Sequence, residues 1–421
     1  MKQIITSLDI GSDNIKLIVG EMYKEELFVL ASSNIKSKGI KKGLIVNEEE
    51  ATNAIKETFR IVEDILGIKL TRVILTVPSY SATFVKSEGY TTISRDDMTV
   101  TGEDITRSLQ ASVYNRVSPN MELVSITPDY FILNEKEVVN DPKGKEAFKV
   151  SVNSILGIVP KKNIYPLITI LENMGIKVVD LAFGGLSDYY EFKTKEMDSL
   201  TGAVINIGHY KTEVSIIKEG KLKNVEVLEI GGRNIDRDIS YIYDLNLETS
   251  KNLKENFSLA HKENASTSEI IECITKNEEK IKINQYELSD LVHSRVREIL
   301  ELSKKEINLL TKDEISYIIV TGGTTEIEGF NSVLKEVFGK NIKTSRVNEL
   351  GVRNNASEEL RECLLNSTSL GFIKLYYDKL KFRERFASTI TESEQEELFS
   401  EKKKNNDNSI LGKVYSYFFD N

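Results

Sequence analysis

The sequence has few of the residues that build covalent or metal-based frameworks. Its 421 residues include only two cysteines, Cys273 and Cys363, and three scattered histidines. Neither a disulfide framework nor a zinc site of the CxxC or HExxH type can be built from this set. This usage of cysteine favours a reducing compartment.

Long apolar runs and an excess of positive charge are also missing. No window approaches the roughly 18 to 20 apolar residues of a membrane-spanning helix, and the first residues show no basic-then-apolar pattern, so we expect neither a transmembrane segment nor a leader. The chain has 56 basic and 65 acidic residues, a net charge of −9. We therefore expect no nucleic acid partner, and any part that touches a membrane is expected to lie on its surface.

Proline is confined to one interval of the chain. All six prolines lie between residues 78 and 166, which suggests a separate module. On both sides of it, the apolar pattern predicts the same order of strand, turn, strand and strand. The predicted elements are strands at 3–9, 15–22, 26–34 and 72–77 with a helix at 48–66, and then strands at 203–207, 212–218 and 224–229. We therefore predict an α/β fold with a duplicated unit, whose first copy is interrupted by the proline-bearing insert.

Three later stretches differ in character. Residues 268–310 are charged and carry an apolar stripe of helical period, which predicts one long amphipathic helix on a domain surface. Residues 381–408 are too polar to bury a core and are expected to form a flexible linker. Residues 410–421 turn apolar again, so we expect them to bind a surface.

The stretch LDIGSDNIK at 8–16 combines a strand, a tight turn and a return strand. Gly11 allows backbone N–H groups to approach a phosphate, and Ser12 can donate a hydrogen bond to it. Lys16 can balance the phosphate charge, and Asp9 can hold a hydrated Mg²⁺. A plain β-hairpin with a surface lysine fits the same residues, so this stretch alone leaves both readings open.

Two further stretches favour the ligand-binding reading. INIGHYKTEV at 205–214 repeats the strand, turn and strand plan, with Gly208 at the bend and Thr212 after it. VTGGTTEIEGF at 320–330 predicts a buried strand whose diglycine, Gly322 and Gly323, opens a helix close to a nucleoside. Together the two hairpins predict a clamp around a phosphate chain.

These motifs resemble those of the actin-like ATPase superfamily, and within it the chain is similar to the FtsA family of bacterial cell-division proteins over nearly its whole length. The resemblance implies an actin-like fold with two αβ lobes around an ATP cleft and an FtsA-type subdomain inserted where the prolines cluster. The stretches that carry it are SLDIGSDNIKLIVGEM (7–22), IKKGLIVN (40–47), LAFGGLSDYY (181–190), EIGGRNIDRDIS (229–240), VTGGTTEIEGF (320–330) and NSTSLGFI (366–373).

The resemblance also implies the domain boundaries. They are the first lobe core (1A) at 1–83, the inserted subdomain (1C) at 84–163, the first lobe again at 164–196, the second lobe core (2A) at 197–246, a peripheral subdomain (2B) at 247–311, the second lobe again at 312–365, a return to the first lobe at 366–380, the linker at 381–408 and a membrane-targeting helix at 409–421.

ATP and Mg²⁺ are the implied cofactors, with Asp9 as the metal ligand. The residues assigned to the phosphates are Asp9, Gly11, Ser12, Lys16, Asn206, Gly208 and Thr212, and those assigned to the nucleoside are Gly232, Lys254, Gly322 and Gly323.

The sequence departs from the family pattern at the second hairpin. The family usually reads DIGGG there, whereas this chain has Asn206, His209 and Tyr210. One carboxylate is thereby lost and two glycines become bulky, so we expect weak or no ATP hydrolysis. The family also has a glutamate where Lys251 precedes Lys254, which makes adenosine binding less secure than phosphate binding. His209 itself fits either a pH-sensitive phosphate contact or the cap of a turn.

The C-terminal segment predicts an amphipathic helix. Its apolar face comprises Ile410, Leu411, Val414, Tyr417 and Phe418. Three lysines at 402–404 would add attraction to an anionic leaflet. The tail of the FtsA family is a membrane-targeting helix, which favours lipid, although docking on this protein's own domain or on a partner fits the same pattern.

The family further implies a function and its partners. We expect a filament-forming, ATP-binding protein on the cytoplasmic face of the membrane at the division site, which anchors FtsZ there and contacts other division proteins through the insert. Arg295 and Arg297, beside His293, would form a basic rim for the acidic C-terminal peptide of FtsZ, or would simply be solvated charges. A pilus-assembly adaptor of the same fold and a small-molecule kinase of the superfamily remain as alternatives.

Overall fold

The computed structural model describes residues 3–339, 343–345 and 367–387. The linker beyond residue 387 and the helix predicted at 409–421 lie outside the described residues. In chain order the strands are β1 (Gln3–Ile10), β2 (Asn14–Tyr23), β3 (Glu26–Lys36), β4 (Ile40–Lys41), β5 (Leu44–Ile45), β6 (Arg72–Val77), β7 (Thr83–Thr92), β8 (Met121–Leu133), β9 (Glu137–Val139), β10 (Lys149–Pro160), β11 (Lys177–Phe183), β12 (Thr201–Ile207), β13 (Thr212–Lys218), β14 (Lys221–Leu228), β15 (Ile270–Ile274), β16 (Lys280–Asn284), β17 (Tyr317–Thr321) and β18 (Lys343–Ser345). The α-helices of the described part are α1 (Glu48–Leu66), α2 (Gly102–Val113), α3 (Tyr165–Asn173), α4 (Gly184–Phe192), α5 (Gly232–Ile242), α6 (Leu247–Asn256), α7 (Gln285–Leu310), α8 (Phe330–Phe338) and α9 (Ser367–Ala387). Among these, none is both long and apolar enough to cross a bilayer.

Two five-stranded sheets share one topology. The first has the order β3-β2-β1-β6-β11 and the second the order β14-β13-β12-β17-β18. In each, three strands pair antiparallel as a meander, and two more follow in parallel. Each sheet is therefore one copy of the same αβ unit, and the predicted duplication is confirmed.

The strands of the first sheet are apolar on both faces. Leu17 and Val19 of β2 belong to a core that includes α1 residues such as Ile55 and Phe59. The intervening Ile18 belongs to a second core on the opposite face, which includes Phe372 of α9. Because successive strand residues point to opposite faces, helices that cover both faces require near-continuous apolar runs such as those of β1 and β2.

The proline-bearing interval folds as a third sheet with its own core. Its four strands have the order β7-β10-β8-β9, and α2 packs against β7. The sheet also contacts the second lobe, because Lys223 of β14 places its Nζ 2.6 Å from Asp129 Oδ1 of β8. The insert thus touches both lobes, since it begins and ends in the first.

Three sequence predictions about secondary structure are wrong in part. Residues 270–284 form a β-hairpin, β15 and β16, and the helix begins only at Gln285. The segments IIECI and KIKIN alternate with a period of two, which a helical count over the whole charged stretch hides. The diglycine at 322–323 leads into a 3-10 turn (Gly323–Glu326) rather than an α-helix. Helix α9 continues to Ala387, into the segment predicted as linker.

The two lobes are joined through a buried carboxylate. Asp188 of α4 is fully buried, and its Oδ1 accepts hydrogen bonds from the hydroxyls of Ser367 and Thr368 at the start of α9, at 2.7 and 2.8 Å. Its Oδ2 accepts from Asn206 Nδ2 at 2.8 Å and from Thr321 Oγ1 at 2.9 Å. Burial raises the pKa of Asp188, while the four hydrogen bonds act in the opposite direction. One side chain therefore links two helices to strands β12 and β17.

A second contact crosses the gap between the lobes. Asp13, in the turn between β1 and β2, accepts a hydrogen bond from Lys251 Nζ of α6 at 2.8 Å, and Lys36 of β3 pairs with the same carboxylate. Burial alone would raise the pKa of Asp13, but the hydrogen bonds and charges of the two lysines outweigh it and hold that pKa at about 2. Lys42 and Glu229 form another ion pair between the lobes.

The depressed pKa of Asp13 predicts how its substitution depends on pH. Because the folded-state pKa lies below the ordinary value of 3.8, the stabilisation is present at neutral pH and is lost as the pH falls from about 4 to about 2. Asp13→Asn should lower the free energy of unfolding at pH 7 by on the order of 1–2 kcal/mol. This loss should shrink below pH 4, as measured by denaturant unfolding. Asp96→Asn, at an exposed position, is the matched control. If Asp13→Asn lowers the free energy of unfolding at pH 7 by no more than the control does, the inter-lobe pair is contradicted.

Candidate functional site

One cavity lies between the two lobes, at the turns that end β1 and β12. It has a volume of about 390 Å³ and is lined from both lobes. The residues assigned to ATP from the sequence that line it are Asp9, Gly11, Ser12, Lys16, Asn206, Gly208, Gly232, Lys254, Gly322 and Gly323. Residues that are up to about three hundred positions apart in the sequence therefore surround one space.

The two predicted phosphate turns close in the same way. Gly11 N–H donates to the carbonyl of Asn14 at 3.0 Å, and Gly208 N–H donates to the carbonyl of Lys211 at 2.9 Å. A Cβ at Gly11 would lie 2.8 Å from the Asn14 oxygen, and one at Gly208 would lie 3.2 Å from the Lys211 oxygen. The close return of the chain thus excludes a Cβ at Gly11 and leaves little room for one at Gly208, and the remaining turn residues face the cavity.

Asp9 and Lys16 are paired across the first hairpin. They are directly opposite in the β1–β2 register, and both line the cavity. Asp9 Oδ1 accepts a hydrogen bond from Thr76 Oγ1 at 2.7 Å, which fixes the carboxylate. Ser12 Oγ accepts the N–H of Gly43 at 2.9 Å, so its own proton remains for a ligand oxygen. The hairpin therefore presents a carboxylate, an ammonium and a hydroxyl to the same space.

Thr212 does not fit its predicted role. Its side chain is fully buried, and its hydroxyl donates to the carbonyl of Ile230 at 2.8 Å. Thr212 is not part of the cavity lining, so the structure does not bring it together with the other residues assigned to phosphate. The strand alternates, and the neighbouring side chain faces the cavity instead.

That neighbour is Glu213, which sequence reasoning missed. It is 5% exposed, lines the cavity, and accepts hydrogen bonds from the N–H of Gly185 and from Lys211 Nζ, both at 3.1 Å. A carboxylate inside an otherwise apolar strand is a rare event in sequences, and that signal was available. The loss of a carboxylate at Asn206 therefore does not leave the second lobe without one.

Gly322 and Gly323 differ in the space that a side chain would find at each position. Gly322 has a φ of +95°, and a Cβ there would lie 2.4 Å from the carbonyl oxygen of Ile207. A Cβ at Gly323 would meet no atom within 4 Å, so this residue borders open space. The chain therefore turns tightly past β12 and leaves a flat backbone surface, as stacking of a nucleoside would need.

The cation assigned to the nucleoside is already paired. Lys254 Nζ lies 2.7 Å from Asp236 Oδ1, and both side chains are buried. Burial raises the pKa of Asp236, and the charge of Lys254 opposes this effect. A buried ion pair of this kind fixes the two side chains. Lys254 can therefore contact a ligand only while its ammonium stays beside Asp236.

The residues of α7 that were predicted to bind a partner do not line this cavity. Arg295 of α7 donates from Nε to Asp238 at 2.7 Å and pairs with Glu298, and Arg297 donates to Glu301 at 2.9 Å. His293 is buried and its Nδ1 lies 3.1 Å from the carbonyl of Ala260, so it does not belong to an exposed basic rim. The positive charges of the two arginines expected to form a basic rim on α7 are thus neutralised by neighbouring acidic side chains. The membrane residues Ile410, Leu411, Val414, Tyr417 and Phe418 lie outside the described residues.

Comparison with known sequences finds similarity to one family. A family model described as cell division protein FtsA matches residues 203–363. Cell division protein FtsA of Bacillus subtilis (strain 168) is 28% identical over 353 residues, which cover 83% of this chain and 80% of the relative. Cell division protein FtsA of Streptococcus pneumoniae serotype 2 is 26% identical over 352 residues, which cover 83% of this chain and 77% of the relative.

Solved structures agree on the fold. The PilM-PilN type IV pilus biogenesis complex matches with a TM-score of 0.59 at 15% identity, covering 88% of this chain and 98% of that chain. MreB5 of Spiroplasma citri bound to AMPPNP matches with a TM-score of 0.54 at 14% identity, covering 91% and 98%. The predicted actin-like fold is confirmed. The chain therefore has an actin-like fold and is similar to FtsA proteins over most of its length.

Proposed function

We propose that this protein is a cell-division adaptor that binds ATP between its lobes, polymerises on the cytoplasmic face of the membrane and anchors FtsZ filaments at the division site. The observation that carries the proposal is the pair of glycine turns, at Gly11 and Gly208, which face one cavity from opposite lobes. The FtsA relatives support the cell-division role.

The cavity suits the phosphate chain of a nucleotide. Lys16, Lys211, Lys251 and Lys254 line it together with Asp9, Asp13 and Glu213. Lysine charges balance phosphate oxygens, and the turns offer backbone N–H groups beside them. The fold neighbour MreB5 is bound to AMPPNP, which supports a nucleotide as the ligand class.

Asp9 is the proposed ligand of Mg²⁺. This ion keeps several waters and is usually held by one or two carboxylates together with phosphate oxygens. Asp9 meets that requirement, because Thr76 binds only its Oδ1. The ion would then neutralise phosphate charge beside Lys16.

Hydrolysis is proposed to be slow or absent. Asn206 cannot accept a proton from water, and its amide is already bonded to Asp188 at 2.8 Å. Glu213 is the remaining carboxylate of that lobe, but the N–H of Gly185 and the ammonium of Lys211 engage its two oxygens. Both oxygens of Glu213 are therefore already engaged, which leaves this carboxylate poorly placed to activate a water.

The partners follow from the family and remain proposals. They are the C-terminal peptide of FtsZ at Arg295 and Arg297 of α7, a second copy of this chain in a protofilament, anionic lipid at the C-terminal helix, and other division proteins at the insert. An acidic peptide on α7 would have to displace Asp238, Glu298 and Glu301 from the two arginines. We therefore expect this contact to be weak and sensitive to salt.

A pilus-assembly adaptor is the second candidate, because the PilM-PilN complex shares the fold at a TM-score of 0.59. The 28% and 26% identical relatives are FtsA proteins, however, and the identity to PilM-PilN is 15%. The apolar C-terminal segment also favours FtsA, since a protein that reaches the membrane through a partner needs no anchor. The superfamily kinase is disfavoured, because the three cavity carboxylates described above, Asp9, Asp13 and Glu213, each already accept a hydrogen bond from a hydroxyl, an ammonium or a backbone N–H.

A thermal shift experiment tests the nucleotide site. ATP or ADP with Mg²⁺ should raise the melting temperature, because a ligand selective for the folded state stabilises it by ~2.7 kcal/mol at a hundred times its Kd. Lys16→Ala should remove this shift, since it deletes the cation beside Asp9. The exposed Lys56→Ala on α1 is the control and should respond as the parent does. Unchanged melting of the parent at millimolar nucleotide would sink the ATP assignment.

Vesicle co-sedimentation tests the membrane role of the C-terminal segment. Val414→Asn on the apolar face should weaken binding to anionic vesicles, whereas Ser416→Asn on the opposite face should not. One such helix buries few side chains, each worth at most roughly 1.5–3 kcal/mol, so binding should rise steeply with protein concentration as tails act together in a polymer. Equal effects of the two substitutions, or binding linear in concentration, would count against the anchor.

A further inference from the structure

His209 occupies a position in the second phosphate turn that the nucleotide assignment leaves unexplained. Its ring lines the cavity between the lobes, and its side chain is 13% exposed. Among the described residues, no hydrogen bond engages either ring nitrogen. A cap of the turn would bond the backbone with the ring, so the capping interpretation does not account for this side chain.

The ring is held in place by its neighbours. The Tyr210 ring lies edge to face with it at a centroid distance of 4.8 Å, and Arg233 stacks over Tyr210 at 4.9 Å. The carbonyl of His209 accepts the N–H of Arg233 at 2.7 Å, which fixes the backbone of the turn. Asp236 Oδ2 lies 3.9 Å from Nδ1. His209 is therefore oriented before any ligand enters.

The charges around His209 come from three elements. Asp13 faces it from the first-lobe turn, Lys251 and Lys254 from α6, and Arg233 and Asp236 from α5. Burial lowers the pKa of His209 to about 4, and the three cations add to this effect against the attraction of Asp13. Because Lys254 already pairs with Asp236, that carboxylate is largely compensated. The imidazole is thus neutral at pH 7 in the empty cleft.

A phosphate chain in the cavity would change this balance. An opposite charge within about 4–6 Å of a titratable group favours its charged form and moves the pKa by 1–3. A di- or triphosphate brings more than one such charge and would also be shielded from water by the two turns. The protonated ring would then donate to a phosphate oxygen, in a place where the family usually has glycine.

We propose that His209 is a phosphate-binding residue that takes up a proton when the phosphate chain enters the cleft. This inference rests on the proposed nucleotide site and names a contact within it. It makes the affinity for phosphate depend on pH in one direction, because binding that takes up a proton strengthens as the pH falls.

Isothermal titration of ADP with Mg²⁺ into the full chain tests the proposal. Titration at pH 6.5 in two buffers of different ionisation enthalpy gives the number of protons taken up. On binding ADP, wild type should take up on the order of half a proton more than His209→Asn does. The ratio of the ADP affinity of wild type to that of His209→Asn should rise about four- to tenfold from pH 8 to pH 6. His209→Gln serves as the second variant, and His261→Asn, which lies outside the cavity lining, should behave as wild type.

The outcomes separate the two claims. ADP binding with the same proton uptake in wild type and in both His209 variants overturns the His209 contact and leaves the nucleotide site intact. The absence of binding to the folded wild type at every pH overturns the nucleotide site itself. Loss of the extra proton in both variants, with a melting temperature close to that of wild type, supports the contact.

Discussion

The cleft depends on the way in which Asp188 joins its two sides. Its carboxylate is fully buried and takes four hydrogen bonds, two from the start of α9 and two from the second-lobe strands. Removing one partner would leave a buried polar group unsatisfied, at a cost of about 1–3 kcal/mol. The ends of β1 and β12 are thereby held at a fixed separation, so that the glycine turns at Gly11 and Gly208 face one space.

The same arrangement explains why the cavity suits an anion and yet stays compact without one. Lysines from both lobes line it, and each cation described here has an acidic neighbour, as in the pairs Lys251–Asp13 and Lys254–Asp236. The Lys251–Asp13 pair crosses the gap between the lobes, whereas Lys254 and Asp236 both belong to the second lobe. An entering phosphate chain competes with Asp13 and Asp236 for these lysines, which couples ligand binding to the relative position of the lobes.

Local pattern predicted the architecture well. The helix at 48–66 and the strands at 72–77 and 212–218 agree with the structure residue for residue, because apolar periodicity and turn residues are local properties. The hairpin at 270–284 was missed because its lysines and glutamates were counted together with the charged face of α7. Ten of the residues assigned to ATP line one cavity, and the glycine turns among them carry a short-range signature.

The partners of those residues could not be predicted in the same way. Asp188 gains its role from Thr321 and Thr368, which lie 133 and 180 positions away, and no local pattern encodes such contacts. Thr212 lies outside the cavity lining because a shift of one strand position moves a side chain to the other face, and the next residue, Glu213, lines the cavity instead. The pairing of Arg295 with Asp238, 57 positions away, could not be predicted locally, whereas Glu301 lies four residues after Arg297 on the same helix and that pair can be predicted from spacing.

The central claim is that the two glycine turns hold one phosphate chain between them. A crystal structure of the full chain with AMPPNP and Mg²⁺ tests it most directly. The account predicts that phosphate oxygens lie within hydrogen-bonding distance of backbone N–H groups in both turns, with the ion beside Asp9. A nucleotide whose phosphates contact only one lobe, or that lies outside the cavity, would contradict the account.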